Sequence, residues 1–146
     1  MKHNGWIYSL GTSTRSKAEF TALLQSHGVE MAIDVRRFPT NRIDHFKQQA
    51  LERLLAEVRI DYLYLGDKLG GYRSGGYRAF ATTSEFKQGI DFVERTASQR
   101  RSAILCAERL PWRCHRRFID SELAKRGWQT KHIIDENRVW LPCKPS

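Results

Sequence analysis

Ser102-Ala103-Ile104-Leu105-Cys106 is a short run that is apolar almost throughout and shows no alternation. A strand with one face in water alternates apolar and polar residues, whereas a strand covered on both faces does not. The run therefore reads as a central strand of a parallel sheet. Directly after it come Ala107-Glu108-Arg109-Leu110-Pro111-Trp112-Arg113. Then Cys114-His115-Arg116 opens a helical pattern that runs to about Arg126 and stops at Gly127. A buried strand handing over to a helix is half of a β-α-β unit, so this stretch predicts an α/β fold.

The same alternation extends in both directions. Downstream, Thr130 to Ile134 reads as a last strand, and residues 136–146 as an irregular C-terminal tail. Upstream, Thr82-Thr83-Ser84-Glu85 has capping-box form and precedes Phe86, Ile90, Val93 and Ala97 on one helix face. Residues 66–81 are rich in Gly and Tyr, lack periodicity and read as a long loop. Asp61 to Leu65 is a strand, and Leu51, Leu54, Leu55 and Val58 mark a helix. Val29 to Val35 is another strand. Ser16 to Glu19 is a second capping box, opening a helix with Phe20, Leu23, Leu24 and His27 at helical spacing, and Trp6 to Leu10 is the first strand. About five strands separated by four helices predict one α/β domain over residues 1–146. Its core spans about 6–135, and its mainly parallel sheet carries helices on both faces.

A chain of 146 residues with 40% apolar and 28% charged side chains can bury a core without disulfides or metal. No stretch approaches the roughly 20 apolar residues of a membrane span. The start, Met1 to Trp6, lacks a signal-peptide core, so a cytoplasmic protein with no membrane partner is expected. Three cysteines, an odd number, read as thiols rather than a disulfide framework. The formal net charge of +9 favours anionic partners, either a phosphate-bearing small molecule or nucleic acid. A solvated basic surface is the bland alternative.

Ligands of open parallel sheets bind beyond the carboxyl ends of the strands. In this order those ends carry Gly11-Thr12-Ser13-Thr14-Arg15, Asp34 with Arg36 and Arg37, Gly70 and Gly71, and Cys106 with Glu108. Backbone N–H groups of residues 11–15 suit an anion, unless Thr14 and Ser16 simply cap the next helix. Asp34 is either an acid/base group or a salt-bridge partner of Arg36 or Arg37. Arg36, Arg37 and Arg42, with Phe38 between them, suit anion binding and base stacking. The loop bearing Tyr72, Arg73, Tyr77 and Arg78 is either a lid or packed surface. Cys114 among Arg113, Arg116 and His115 fits an activated thiol at a helix start, with Cys106 as a second, strand-end thiol. Glu108 and His115 are proton-transfer candidates and Arg116 an anion holder. No metal or cofactor is expected, because a Cys and a His adjacent on one helix diverge and no C-x-x-C is present. A phosphatase-type loop needs Arg six residues after Cys, but Trp112 and Asp120 stand there.

Gly11 to Arg15, Asp34-Val35-Arg36 with Phe38-Pro39, Leu69-Gly70-Gly71, and Cys106-Ala107-Glu108 with Cys114-His115-Arg116 occur in a family's order. Across about residues 6–135 the chain resembles the domain of unknown function 488 family. It departs at Thr12, where that pattern often has His or Tyr. The resemblance implies a small α/β protein with a site at these motifs and no established substrate. Three readings stand side by side. The first is an enzyme acting on a phosphate-bearing substrate through Cys, Glu and Arg. The second is a nucleic-acid-binding module, and the third a thiol redox or metal sensor.

Overall fold

The computed structural model describes residues 5–37, 43–71 and 73–142. Phe38, Pro39, Arg42, Tyr72 and Cys143 lie outside them. One six-stranded sheet has the order β3-β2-β4-β1-β5-β6. Its strands are β1 (Trp6–Gly11), β2 (Met31–Asp34), β3 (Asp61–Tyr64), β4 (Ser102–Cys106), β5 (Gln129–Asp135) and β6 (Arg138–Trp140). The first five are parallel, as expected from the β-α order, and β6 runs antiparallel to β5. The sixth strand lies in the segment expected to be irregular. A tight turn at Glu136-Asn137, with Asn137 N–H donating to Asp135 at 2.9 Å, folds that segment back onto β5.

The helices are α1 (Lys17–Ser26), α2 (Gln48–Glu57), the one-turn α3 (Gly66–Leu69) and α4 (Tyr77–Phe80), α5 (Ser84–Gln99) and α6 (Arg116–Lys125). Alternation along the central strands assigns them to two layers. Ala103 and Leu105 pack with Phe20, Leu24, Leu51 and Leu55 of α1 and α2. Ile104 and Cys106 pack with Phe86, Ile90 and Val93 of α5 and Ile119 and Leu123 of α6. The two cysteines therefore belong to the α5/α6 layer. Among the described residues, no helix is long and apolar enough to cross a membrane.

Three local expectations shift. Residues 66–81 hold two helical turns rather than a bare loop, tied down by Arg73 and Tyr77. Arg73 donates from Nε to Gly70 O (2.8 Å) and from Nη2 to Asp67 O (2.7 Å), closing the α3 C-terminus, and its guanidinium lies 4.0 Å from the Phe80 ring centroid. Tyr77 Oη donates to Leu69 O at 2.7 Å. The cap of α5 is Thr83, whose hydroxyl accepts from Phe86 N–H, one residue later than the capping-box pattern suggests. Helix α6 begins at Arg116, so Cys114 and His115 precede it rather than share its face.

Candidate dithiol site

Cys106 reaches the site because β4 ends there, opposite Gly11 of β1. Thr12 N–H donates to Cys106 O (2.7 Å) and Ser13 N–H to Ala107 O (2.9 Å), so the loop after β1 zips onto the loop after β4. A side chain at position 11 would put Cβ 2.0 Å from Glu108 O, and this explains the glycine. Pro111–Arg113 then form a single 3-10 turn, and Cys114 follows in extended conformation, turning the chain back toward the strand end.

Cys106 Sγ and Cys114 Sγ lie 2.9 Å apart, both buried and both free. Cys114 Sγ also accepts the Arg116 backbone N–H (3.4 Å) and faces His115 Nδ1 at 3.6 Å. His115 Nε2 lies 3.2 Å from Val35 O, which can only accept, so Nε2 carries a proton. The ring of Tyr77 covers His115, with centroids 5.1 Å apart. The two thiols are electrostatically unequal. The hydrogen bond from Cys106, reinforced by His115 and Arg116, holds the Cys114 thiol well below its ordinary value against the effect of burial. That shared proton, together with burial, holds Cys106 well above its ordinary value. Of the two, Cys114 is the sulfur whose surroundings favour the thiolate, with Cys106 placed to donate to it.

Behind the sulfurs runs a buried polar chain. Arg116 donates from Nη1 to Ser9 Oγ (2.6 Å) and from Nη2 to Glu108 O (2.5 Å). Since guanidinium only donates, the Ser9 hydroxyl passes its own hydrogen to His132 Nδ1 at 2.6 Å, and His132 Nε2–H donates to Asp120 at 2.8 Å. Burial lowers the His132 pKa, keeping the ring neutral. The chain thus links a buried cation to a buried carboxylate through two neutral groups. Arg116 Nε, fully buried, has no hydrogen-bond partner among the described residues.

The other residues singled out in the sequence sit as follows. Asp34 and Arg36 form a buried two-point pair, Nε and Nη2 each 2.8 Å from a carboxylate oxygen. Tyr62 Oη also donates to Asp34 (2.6 Å), and Arg36 Nη1 donates to Phe46 O (2.6 Å). These partners lie on the α2 side of the sheet, so Asp34 is not brought to the thiols. Arg15 is spent on Gly11 O (2.8 Å), Ile134 O (2.7 Å) and Glu19 (3.1 Å), tying β1 to β5. Ser13 adopts a left-handed φ of 49°, Thr12 is buried and Thr14 is exposed. Ser16, not Thr14, caps α1, accepting from Glu19 N–H. Gly70 packs against the Arg37 backbone, where a Cβ would lie 2.5 Å from its Cα. Gly71 faces the His115 ring. Glu108 contributes mainly its backbone: its carbonyl accepts from Arg116 and its N–H supports the Cys106 sulfur, while its carboxylate accepts from Arg109 N–H.

The expected divergence of Cys114 and His115 does not occur. It assumed a shared helix, and both residues lie ahead of α6, with their side-chain atoms converging. Sequence reasoning also missed Ser9, Asp120 and His132. His132 before Ile133 and Ile134 in a strand-like run was the available signal, but its partners lie 12 and 123 residues away.

A profile of the family described as Domain of unknown function DUF488 matches residues 16–123. The chain belongs to this family. The match spans both thiols, His115 and Arg116, and it starts after the Gly11–Arg15 loop on which part of the resemblance rested. No curated protein and no solved structure matched the chain.

Proposed function

We propose that this DUF488 protein is a thiol redox protein in which Cys114 is the reacting thiolate and Cys106 the resolving thiol. The observation that carries this reading is the 2.9 Å separation of two reduced sulfurs held between a strand end and a helix start. Both cysteines are less than a tenth exposed, which favours a small oxidant such as a hydroperoxide over a protein disulfide. Cys114 Sγ attacks one peroxide oxygen, the O–O bond breaks, and the other oxygen leaves as an alcohol or water after taking a proton. The resulting sulfenic acid is attacked by Cys106 Sγ. An S–S bond forms, and hydroxide leaves with the Cys106 proton as water. An external dithiol returns both sulfurs to the reduced form.

The test is peroxide treatment of the Cys143→Ser protein, followed by alkylation and peptide mass spectrometry. The expected product is an intramolecular Cys106–Cys114 disulfide, with Cys106→Ser stopping at the Cys114 sulfenic acid. Two free thiols after peroxide would overturn the reading.

A second reading, nucleic-acid binding, is favoured by one surface feature. Trp112 and Trp140 are both exposed with ring centroids 5.0 Å apart, and Arg113 and Arg117 beside them are exposed as well. Aromatic faces among arginines suit stacked bases of a single strand. This reading expects affinity for single-stranded oligonucleotides that falls steeply with salt and is weakened by Trp112→Ala. Absence of binding at low salt excludes it. An enzymatic action on a phosphate-bearing substrate would need other holders than Arg15 and Arg36, whose donors are committed internally.

A further inference from the structure

We propose that reduced Cys106 and Cys114, with His115, form a three-ligand site for one zinc-like cation, leaving the fourth position to an external ligand. This deepens the dithiol reading and rests on the same two thiols in their reduced state. One ligand atom from each of these three residues lies within 4.8 Å of the others. Two sulfurs and an imidazole nitrogen form a soft to borderline donor set, suited to zinc and unsuited to magnesium or calcium.

The histidine is already set for this role. Val35 O takes the Nε2 hydrogen, which leaves Nδ1 as the nitrogen turned toward the sulfurs and the one that would hold an ion. A backbone carbonyl fixing the far nitrogen is the usual outer-shell support of a metal-bound histidine. The distances can be compared with what a tetrahedral ion requires. Bonds of about 2.3 Å to sulfur and 2.0 Å to nitrogen imply S···N near 3.5 Å and S···S near 3.8 Å. Cys114 Sγ and His115 Nδ1 stand at 3.6 Å, close to that spacing.

The two sulfurs, at 2.9 Å, must separate by about 0.9 Å to span an ion. What draws them together is the proton they share. Metal binding displaces that proton, the two thiolates then repel, and the cation takes its place between them. Cys114 can yield, because it is an extended residue between a 3-10 turn and α6 rather than part of either. Charge also balances: two thiolates neutralise a dication, while Arg116 remains linked through Ser9 and His132 to Asp120.

Among the described residues no fourth His, Cys, Asp or Glu joins this group. The ligand count is therefore that of open zinc sites, where three protein ligands leave a position for water or a small molecule. Metal and disulfide exclude one another here, since each uses both sulfurs. The site then carries either an ion or an S–S bond, and hydroperoxide would release the ion.

The experiment uses the reduced full chain with Cys143→Ser, titrated with zinc against a chromophoric chelator and separately with cobalt. The expected result is one ion per chain and a cobalt spectrum with thiolate-to-metal charge-transfer bands. Cys106→Ser, Cys114→Ser and His115→Ala each weaken zinc by more than the roughly 100-fold that outer-shell changes reach. Circular dichroism of each variant checks its fold, and His115→Gln serves if His115→Ala unfolds. Failure of the reduced protein to compete with the chelator, zinc affinity unchanged by His115 substitution, or cobalt bands without thiolate character would overturn the inference. If peroxide closes the disulfide but zinc does not bind, the metal site falls and the redox reading stands. If zinc binds and peroxide leaves two thiols, the reverse holds.

Discussion

At the scale of single residues, small side chains and internal hydrogen bonds do work that sequence alone assigns to ligands. Gly11 sits in a stretch that reads as an anion loop, yet what demands glycine there is a carbonyl of the protein itself, Glu108 O. Gly11→Ala must push residues 108 and 109 away from the strand end. The expected cost is about 3 kcal/mol, a fall in Tm of roughly 6–12 °C for a domain of this size. Scanning calorimetry checks it, and an unchanged Tm would mean the loop is free to move. Arg15 and Arg36 follow the same logic, for their charge suggests an anion in solution while their geometry gives them to carbonyls and to Glu19 and Asp34. Composition records that an arginine is present. It does not record which acceptors surround it once the chain is folded.

At the scale of elements, periodicity located the helices and strands well and their ends less well. The apolar positions of α5 are those expected from Phe86, Ile90, Val93 and Ala97, all buried. The start differs by one residue because two adjacent threonines offer equivalent hydroxyls, and only the approach of the chain from α4 selects between them. Thr83→Ala should therefore cost about 1 kcal/mol, the usual value of a lost cap. Thr82→Ala, whose hydroxyl merely donates to Ala79 O on the surface, should cost less. Urea unfolding of the two variants decides this, and equal losses would place the cap wrongly. The start of α6 carries more chemical weight. Had the helix begun at Cys114, the thiol and imidazole would project about 100° apart. Beginning at Arg116, it leaves both residues in a turn that brings their side chains together.

At the scale of the whole molecule, one polar chain ties three elements. Ser9 comes from β1, Arg116 and Asp120 from α6, and His132 from β5, and all four are buried. His132 faces Asp120 and Ser9 by hydrogen bonds and also feels the charges of Arg116 and Cys114. Burial is the main influence, and it lowers the pKa of His132 in the folded protein. The unfolded chain therefore takes up a proton, near the ordinary histidine value of about 6.5, that the folded state refuses. Stability from this residue is complete above that pH and declines below it, by at most about 1.4 kcal/mol per pH unit. Denaturant unfolding at pH 7.5 and 5.5 should show the loss, and His132→Gln should reduce it while lowering stability at pH 7.5. Equal pH slopes in the two proteins would refute this account.

The α/β class, the parallel core strands and the family were legible in the linear chain. These rest on local periodicity, on the handedness of crossovers and on linear motif order, all of which survive in one dimension. The linear chain also brought Cys106, Cys114, His115 and Arg116 forward as a group, since they lie within eleven residues of one another. Which candidates meet was settled by folding in three dimensions. The pleat sends Asp34 to one face and Cys106 to the other, the Glu136-Asn137 turn makes a sixth strand of the tail, and the turn before α6 sets two sulfurs 2.9 Å apart beside an imidazole. Each depends on where a turn begins or which way a side chain leaves the backbone. Residue types alone leave that open, and packing against distant parts of the chain settles it.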